Sequence, residues 1–225
     1  YMSAGCNIKG EKVMTGTRLE ENSQNPLNLI ITGVGGQGNV LASQLIGRAA
    51  VQKGLKVTIG ETFGLSQRGG PVMSHIRISR ERNYGPLIPP NMAHVIVGLE
   101  PLEALRILNE YGNSKSVYVV NSRPIYPLNV IAGDVNYPDA GWIRDVLSES
   151  AGSLFWLEAT RFAIELGGPI MLNMIMVGAL CEMKNFPVDS RFIKEVMRDF
   201  FPASKLDMNY RALDIGGNLI REYEN

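Results

Sequence analysis

The chain has 225 residues, 45% of them hydrophobic, enough to bury the core of one α/β domain with terminal additions. Lys plus Arg and Asp plus Glu balance at 22 each, so no overall field recruits nucleic acid or an anionic membrane surface, and any anion must be bound locally. Cys6 and Cys181 stand far apart and in no C-x-x-C spacing, which argues against a disulfide framework, a zinc site or an iron–sulfur cluster and for a reducing compartment.

Residues 1–26 are polar and weakly periodic and read as an extension outside the core. From Leu27 the signals alternate. A strand over Leu27–Thr32 precedes a helix over Asn39–Lys53 closed by Gly54, then come strands over Lys56–Ile59 and Val72–Ile78. His94–Leu99 and Ser116–Asn121 are further strands with a helix over Pro101–Leu108 between them. A helix near Pro138–Ser150 leads to a strand over Leu154–Leu157. This pattern predicts an α/β fold of three layers, α/β/α, on a mostly parallel, Rossmann-like sheet. After Gly167-Gly168-Pro169 the chain reads as helices only: Ile170–Lys184, Asp189–Phe200 with Asp189 as N-cap, and a segment around Asp207–Glu224. The expected division is residues 1–26 as extension and 27–225 as one domain with a helical tail from about 169. The longest apolar stretch, Ile170 to Cys181, is too short to span a bilayer and contains Asn173, and the N-terminus lacks a signal-peptide pattern. A cytoplasmic protein is expected.

Gly33-Val34-Gly35-Gly36-Gln37-Gly38 joins the first strand to the first helix with G-x-G-x-x-G spacing. Backbone N–H groups at a helix N-terminus are unpaired and carry partial positive charge, and glycine lets a phosphate approach them. With Glu61 after the second strand, this spacing also suits a dinucleotide, so an NAD(P)-binding dehydrogenase is one alternative. A non-catalytic nucleotide-binding module is another. A Walker A motif is excluded, because Asn39-Val40 stands where that motif needs Lys and Ser/Thr.

A second glycine loop, Glu61-Thr62-Phe63-Gly64-Leu65-Ser66-Gln67-Arg68-Gly69-Gly70, follows the second strand and is expected at the same carboxyl edge of the sheet. Arg68 offers a forked cationic donor, Ser66 and Gln67 neutral donors, and Gly69-Gly70 close backbone approach. The alternative is a tight connection with Arg68 exposed or paired to Glu61. His75 and His94 lack Ser or Cys partners at catalytic spacing and read as structural. Met171, Met174, Met176 and Met183 fall mostly on one helix and suggest a subunit interface. Trp142, Tyr126 and Phe155-Trp156 read as core before ligand wall.

Three segments, Leu29-Ile-Ile-Thr-Gly-Val-Gly-Gly-Gln-Gly, Glu61-Thr-Phe-Gly-Leu-Ser-Gln-Arg-Gly-Gly and Asn173-Met-Ile-Met-Val-Gly-Ala-Leu, together resemble the gamma-type subunit or domain of 2-oxoacid:ferredoxin oxidoreductases. The second segment is most similar to the beta subunit of the indolepyruvate enzymes. The resemblance implies a complex that oxidatively decarboxylates a 2-oxoacid on thiamine diphosphate, sends electrons through iron–sulfur clusters to ferredoxin, and releases an acyl-CoA. Gly133-Asp134-Val135 is not the Gly-Asp-Gly of a thiamine diphosphate and magnesium site, so the resemblance places thiamine diphosphate, magnesium and clusters in an alpha-type partner of a hetero-oligomer. To this chain it assigns coenzyme A and partner contacts, carried over to Gly33, Gly35, Gly36, Gln37, Gly38, Ser66, Gln67, Arg68, Gly69 and Gly70. No catalytic residue is assigned and no metal ligand is expected here. Phe63 and Pro71 depart from the indolepyruvate pattern, leaving aryl-pyruvate, phenylglyoxylate-like and branched-chain oxoacids open.

Overall fold

A computed structural model describes residues 24–64 and 70–224. Most of the expected N-terminal extension, and Ser66, Gln67, Arg68 and Gly69 of the second loop, lie outside the described residues.

Strand β1 (Leu27–Val34) is buried along its whole length, as suits a near-continuous apolar run at the centre of a sheet covered on both faces. It feeds helix α1 (Asn39–Gln52), which returns the chain to β2 (Lys56–Phe63). Then β3 (Pro71–Ser79) doubles back antiparallel and pairs with β2 on one side and β1 on the other. Strands β4 (Val95–Gly98), β5 (Val117–Asn121) and β6 (Ser153–Leu157) extend the sheet parallel to β1, giving the order β2-β3-β1-β4-β5-β6. Only β3 runs against the rest, so the sheet is mostly parallel. Direction is the one thing the apolar run of β3 does not encode, because inward and outward alternation is the same read either way.

Helices α2 (Pro101–Tyr111) and α4 (Ala140–Ser150) cover one face over Ile30, Ile96 and Tyr118. The opposite face, over Leu29 and Ile31, carries α1, α5 (Ala159–Leu166), α6 (Leu172–Glu182) and α7 (Ser190–Phe200), with α8 (Ala203–Glu224) outside α6. A short helix α3 (Leu128–Ile131) lies in the β5–α4 connection. The sequence signals did not distinguish α3 and α5. Asp189 caps α7 as expected, its side chain accepting from Arg191 N–H at 3.0 Å.

The helical tail is corrected in one respect. The methionine-rich helix is not a docking surface: α6 is buried from Leu172 through Leu180, between the sheet on one side and α8 on the other. A helix apolar all round has no face for solvent and belongs in a core. Gly178 and Gly216 let α6 and α8 touch, since a Cβ on either would collide with the other helix's backbone carbonyl.

Candidate functional site

Because β2 runs parallel to β1, both glycine loops leave the same carboxyl edge. They are tied there: Gly35 N–H donates to the Gly70 carbonyl at 2.9 Å. The chain leaves β1 toward α1 on one face and β4 toward α2 on the other, so the gap between β1 and β4 is the topological switch point, where open α/β sheets bind ligands.

The first loop is shaped by its glycines in different ways. A Cβ on Gly33 would stand 2.5 Å from Gln37 Oε1 and 3.0 Å from the Leu99 side chain, so this glycine makes room for Gln37 to fold back. Gly36 has φ +102°, is exposed, and has only open space where a Cβ would be. Gly38, at φ +83°, is the N-cap of α1 and presses on Asn173 of α6, whose Nδ2 donates to the Gly38 carbonyl at 3.4 Å. No side chain caps α1 and no acidic residue stands in its first turn. The N–H groups of the first turn of a helix have no acceptor within the helix and carry partial positive charge, and with the exposed Gly36 just before α1 this is the arrangement that attracts an anion.

Gln37 has its amide committed. Oε1 accepts from Val34 N–H at 2.8 Å and Nε2 donates to the Leu99 carbonyl at 2.9 Å, so the side chain crosses the switch point. Asn39 is buried, donates through Nδ2 to the Val72 carbonyl at 3.2 Å, and has no partner for Oδ1. Of the carried-over residues, Gly33, Gly35, Gly36, Gln37, Gly38 and Gly70 are thus brought together.

Glu61 does not serve as a ribose-binding acid. Its Oε1 accepts from Ser43 Oγ at 2.8 Å and its Oε2 from Ser74 Oγ at 2.5 Å, which fastens β2 to α1 and β3. With that acid engaged, the dinucleotide reading loses its ribose contact, and Gln37 bridges the switch point where the cofactor would lie.

Three polar groups at this edge escaped the sequence reading. Asn121 ends β5 with its Nδ2 on the Leu99 carbonyl and its Oδ1 accepting from Thr160. An asparagine in a buried parallel strand goes against propensity, and that was the available signal. Glu100, also buried, caps α2 through Glu103 N–H and accepts the Tyr137 hydroxyl. Burial first, and then this bond to Glu100, push the Tyr137 phenol far above its ordinary range.

His75 and His94 each hold a backbone donor: their Nδ1 atoms accept from Ile88 N–H at 3.4 Å and Asn28 N–H at 2.9 Å. Burial lowers both imidazoles, partly offset by Glu110 at His75 and reinforced by Arg77 at His94. Trp142 and Tyr126 are not core residues; they are 54% and 53% exposed around the β5–α4 connection. Burial raises the Cys181 thiol far above its usual range, and among the described residues no group of three or more His, Cys, Asp or Glu side chains is placed to hold a metal ion.

Residues 28–219 match the family pattern described as pyruvate ferredoxin/flavodoxin oxidoreductase. The indolepyruvate oxidoreductase subunit IorB of Pyrococcus horikoshii is 38% identical over 199 residues, covering 88% of this chain and 98% of that one. Among solved structures, the pyruvate oxidoreductase subunit PORC of Thermotoga maritima superposes with a TM-score of 0.64 at 22% identity, over 87% of this chain and 97% of that one. The 2-oxoglutarate:ferredoxin oxidoreductase of Magnetococcus marinus, solved with 2-oxoglutarate, coenzyme A and succinyl-CoA bound, superposes with a TM-score of 0.68 at 24% identity. The match covers 88% of this chain and 32% of that longer one.

Proposed function

The chain belongs to the pyruvate ferredoxin/flavodoxin oxidoreductase family, and on that premise we propose that it lends the first glycine loop to coenzyme A within its enzyme complex. It is a subunit of a 2-oxoacid:ferredoxin oxidoreductase, an oxidoreductase acting on an oxo group with an iron–sulfur protein as acceptor. The proposed substrate is an aryl-pyruvate of the indolepyruvate type, converted to an acyl-CoA. The uncapped N-terminus of α1 behind the open Gly36 carries this reading. Coenzyme A offers a pyrophosphate and a 3′-phosphate to such N–H groups, and the Gly35–Gly70 bond ties the start of β3 to the first loop.

The described residues do not fit the redox groups. The Cys181 thiol, half-buried, is pushed up by its surroundings and so stays protonated, and among the described residues no cluster of metal-ligating side chains is assembled. Thiamine diphosphate with magnesium and iron–sulfur clusters, which supply the decarboxylation and the electron path to ferredoxin, belong in this reading to an alpha-type partner. The exposed Tyr126 and Trp142 are available for a contact between subunits. A cytoplasmic location is part of the proposal; among the described residues no helix is long and apolar enough to cross a membrane.

The test is Gly36→Val in the assembled complex. A branched Cβ at φ +102° is strained and fills the opening. The expected outcome is a rise in KM for coenzyme A of about tenfold or more, the loss of one charge-assisted contact. An unchanged KM in an intact complex would contradict the proposal.

A further inference from the structure

We propose that Asn121 and Thr160, across the switch point from the glycine loop, are positioning residues for it, acting through the Leu99 carbonyl to which Gln37 is tethered. The inference rests on the reading that the loop contacts coenzyme A, and names the buried groups that hold it ready.

Leu99 O is the hub. It receives Gln37 Nε2 at 2.9 Å from one side and Asn121 Nδ2 at 3.1 Å from the other, which fills both lone pairs. Asn121 Oδ1 in turn accepts from Thr160 N–H at 3.0 Å and from Thr160 Oγ1 at 3.1 Å. Both amides are therefore fixed in orientation. The Asn121 oxygen faces two donors and the Gln37 oxygen faces Val34 N–H, so each nitrogen must turn to Leu99. The result is a continuous chain from the exit of β1, across β4 and β5, to the first turn of α5. Leu99 and Asn121 are each 1% exposed and Thr160 is 8% exposed. In such surroundings every member polarises the next, and a missing partner is felt along the chain. Neither Asn121 nor Thr160 is open to a ligand, so any effect of theirs on ligand binding passes through Leu99 and Gln37.

Thr160→Val keeps the shape and the backbone N–H but removes one donor. Asn121→Asp keeps both accepted bonds and turns an oxygen against the Leu99 carbonyl. In the assembled complex the expected result is a KM for coenzyme A raised about threefold by Thr160→Val and about tenfold by Asn121→Asp, the range of one or two net hydrogen bonds, with kcat and the KM for the 2-oxoacid unchanged. Should Asn121→Asp fail to assemble, Asn121→Ser, which shortens the side chain and loses the Leu99 bond, must show the same selective loss. Wild-type KM for coenzyme A in Thr160→Val and Asn121→Ser, or equal loss for both substrates, overturns the inference. If Gly36→Val weakens coenzyme A while these variants do not, the relay alone is wrong. If Gly36→Val is silent too, the coenzyme A reading itself fails.

Discussion

Gly33, Gly36 and Gly38 are the same letter in the sequence and do three jobs. Gly33 makes room for a side chain, Gly36 leaves space for something outside the chain, and Gly38 turns the backbone into α1 against Asn173. The spacing located the loop correctly, but only packing separates these roles, because the neighbours that define them, Leu99 and Asn173, lie far along the chain. The difference is measurable. Gly36→Ala meets only the cost of its positive φ, about 1 kcal/mol, whereas Gly38→Ala adds a collision with the Asn173 amide and is expected to cost about twice that or more in thermal unfolding. Equal losses would show that Asn173 yields freely. The histidines give a pH dependence. Both are held neutral by burial, below the ordinary histidine value of 6.5, so the unfolded chain binds their protons first. Their contribution to stability is full above about pH 6.5 and is lost as pH falls below it toward the folded values. Tm measured from pH 7.5 down to 5 should decline, and the decline should be smaller in His75→Phe, which puts an aromatic ring with no proton to bind in its place.

At the scale of elements, the strands and α1 were legible because their apolar periods are clean and Gly54, Pro101 and Asp189 punctuate them. The antiparallel insertion of β3 was not, since adjacency in a sheet is decided by tertiary pairing. Nor was the place of α6: its apolar surface was visible, but whether another subunit or the chain's own α8 covers it is settled by Gly178 and Gly216. Gly216→Ala would push a methyl into the Ile175 carbonyl of α6. Overpacking of this kind costs about 3 kcal/mol, and at this chain length that lowers Tm by on the order of 10 °C. Met174→Ala, at a fully buried position, should cost about 2–5 kcal/mol through the cavity it leaves. Denaturant midpoints of the two variants measure both effects, and wild-type stability in either would show that α6 and α8 are loosely docked.

Across the whole molecule, balanced charge gives no long-range pull on an anionic ligand, so the proposed recognition of coenzyme A falls to local devices at one sheet edge. That edge carries an uncapped helix start, two loops joined at Gly35 and Gly70, and a buried amide chain behind them. The β1–β4 switch point that a dehydrogenase would leave for its dinucleotide is bridged here by Gln37. In the proposed reading the chain offers chemistry a prepared contact, completed by the rest of the complex. The most direct measurement is backbone hydrogen exchange of the assembled complex with and without coenzyme A. The account predicts slower exchange on binding at the N–H groups of residues 36–41, with the opposite, α1 C-terminal end of the helix unchanged. Saturation with coenzyme A that leaves exchange at residues 36–41 unaltered would contradict it.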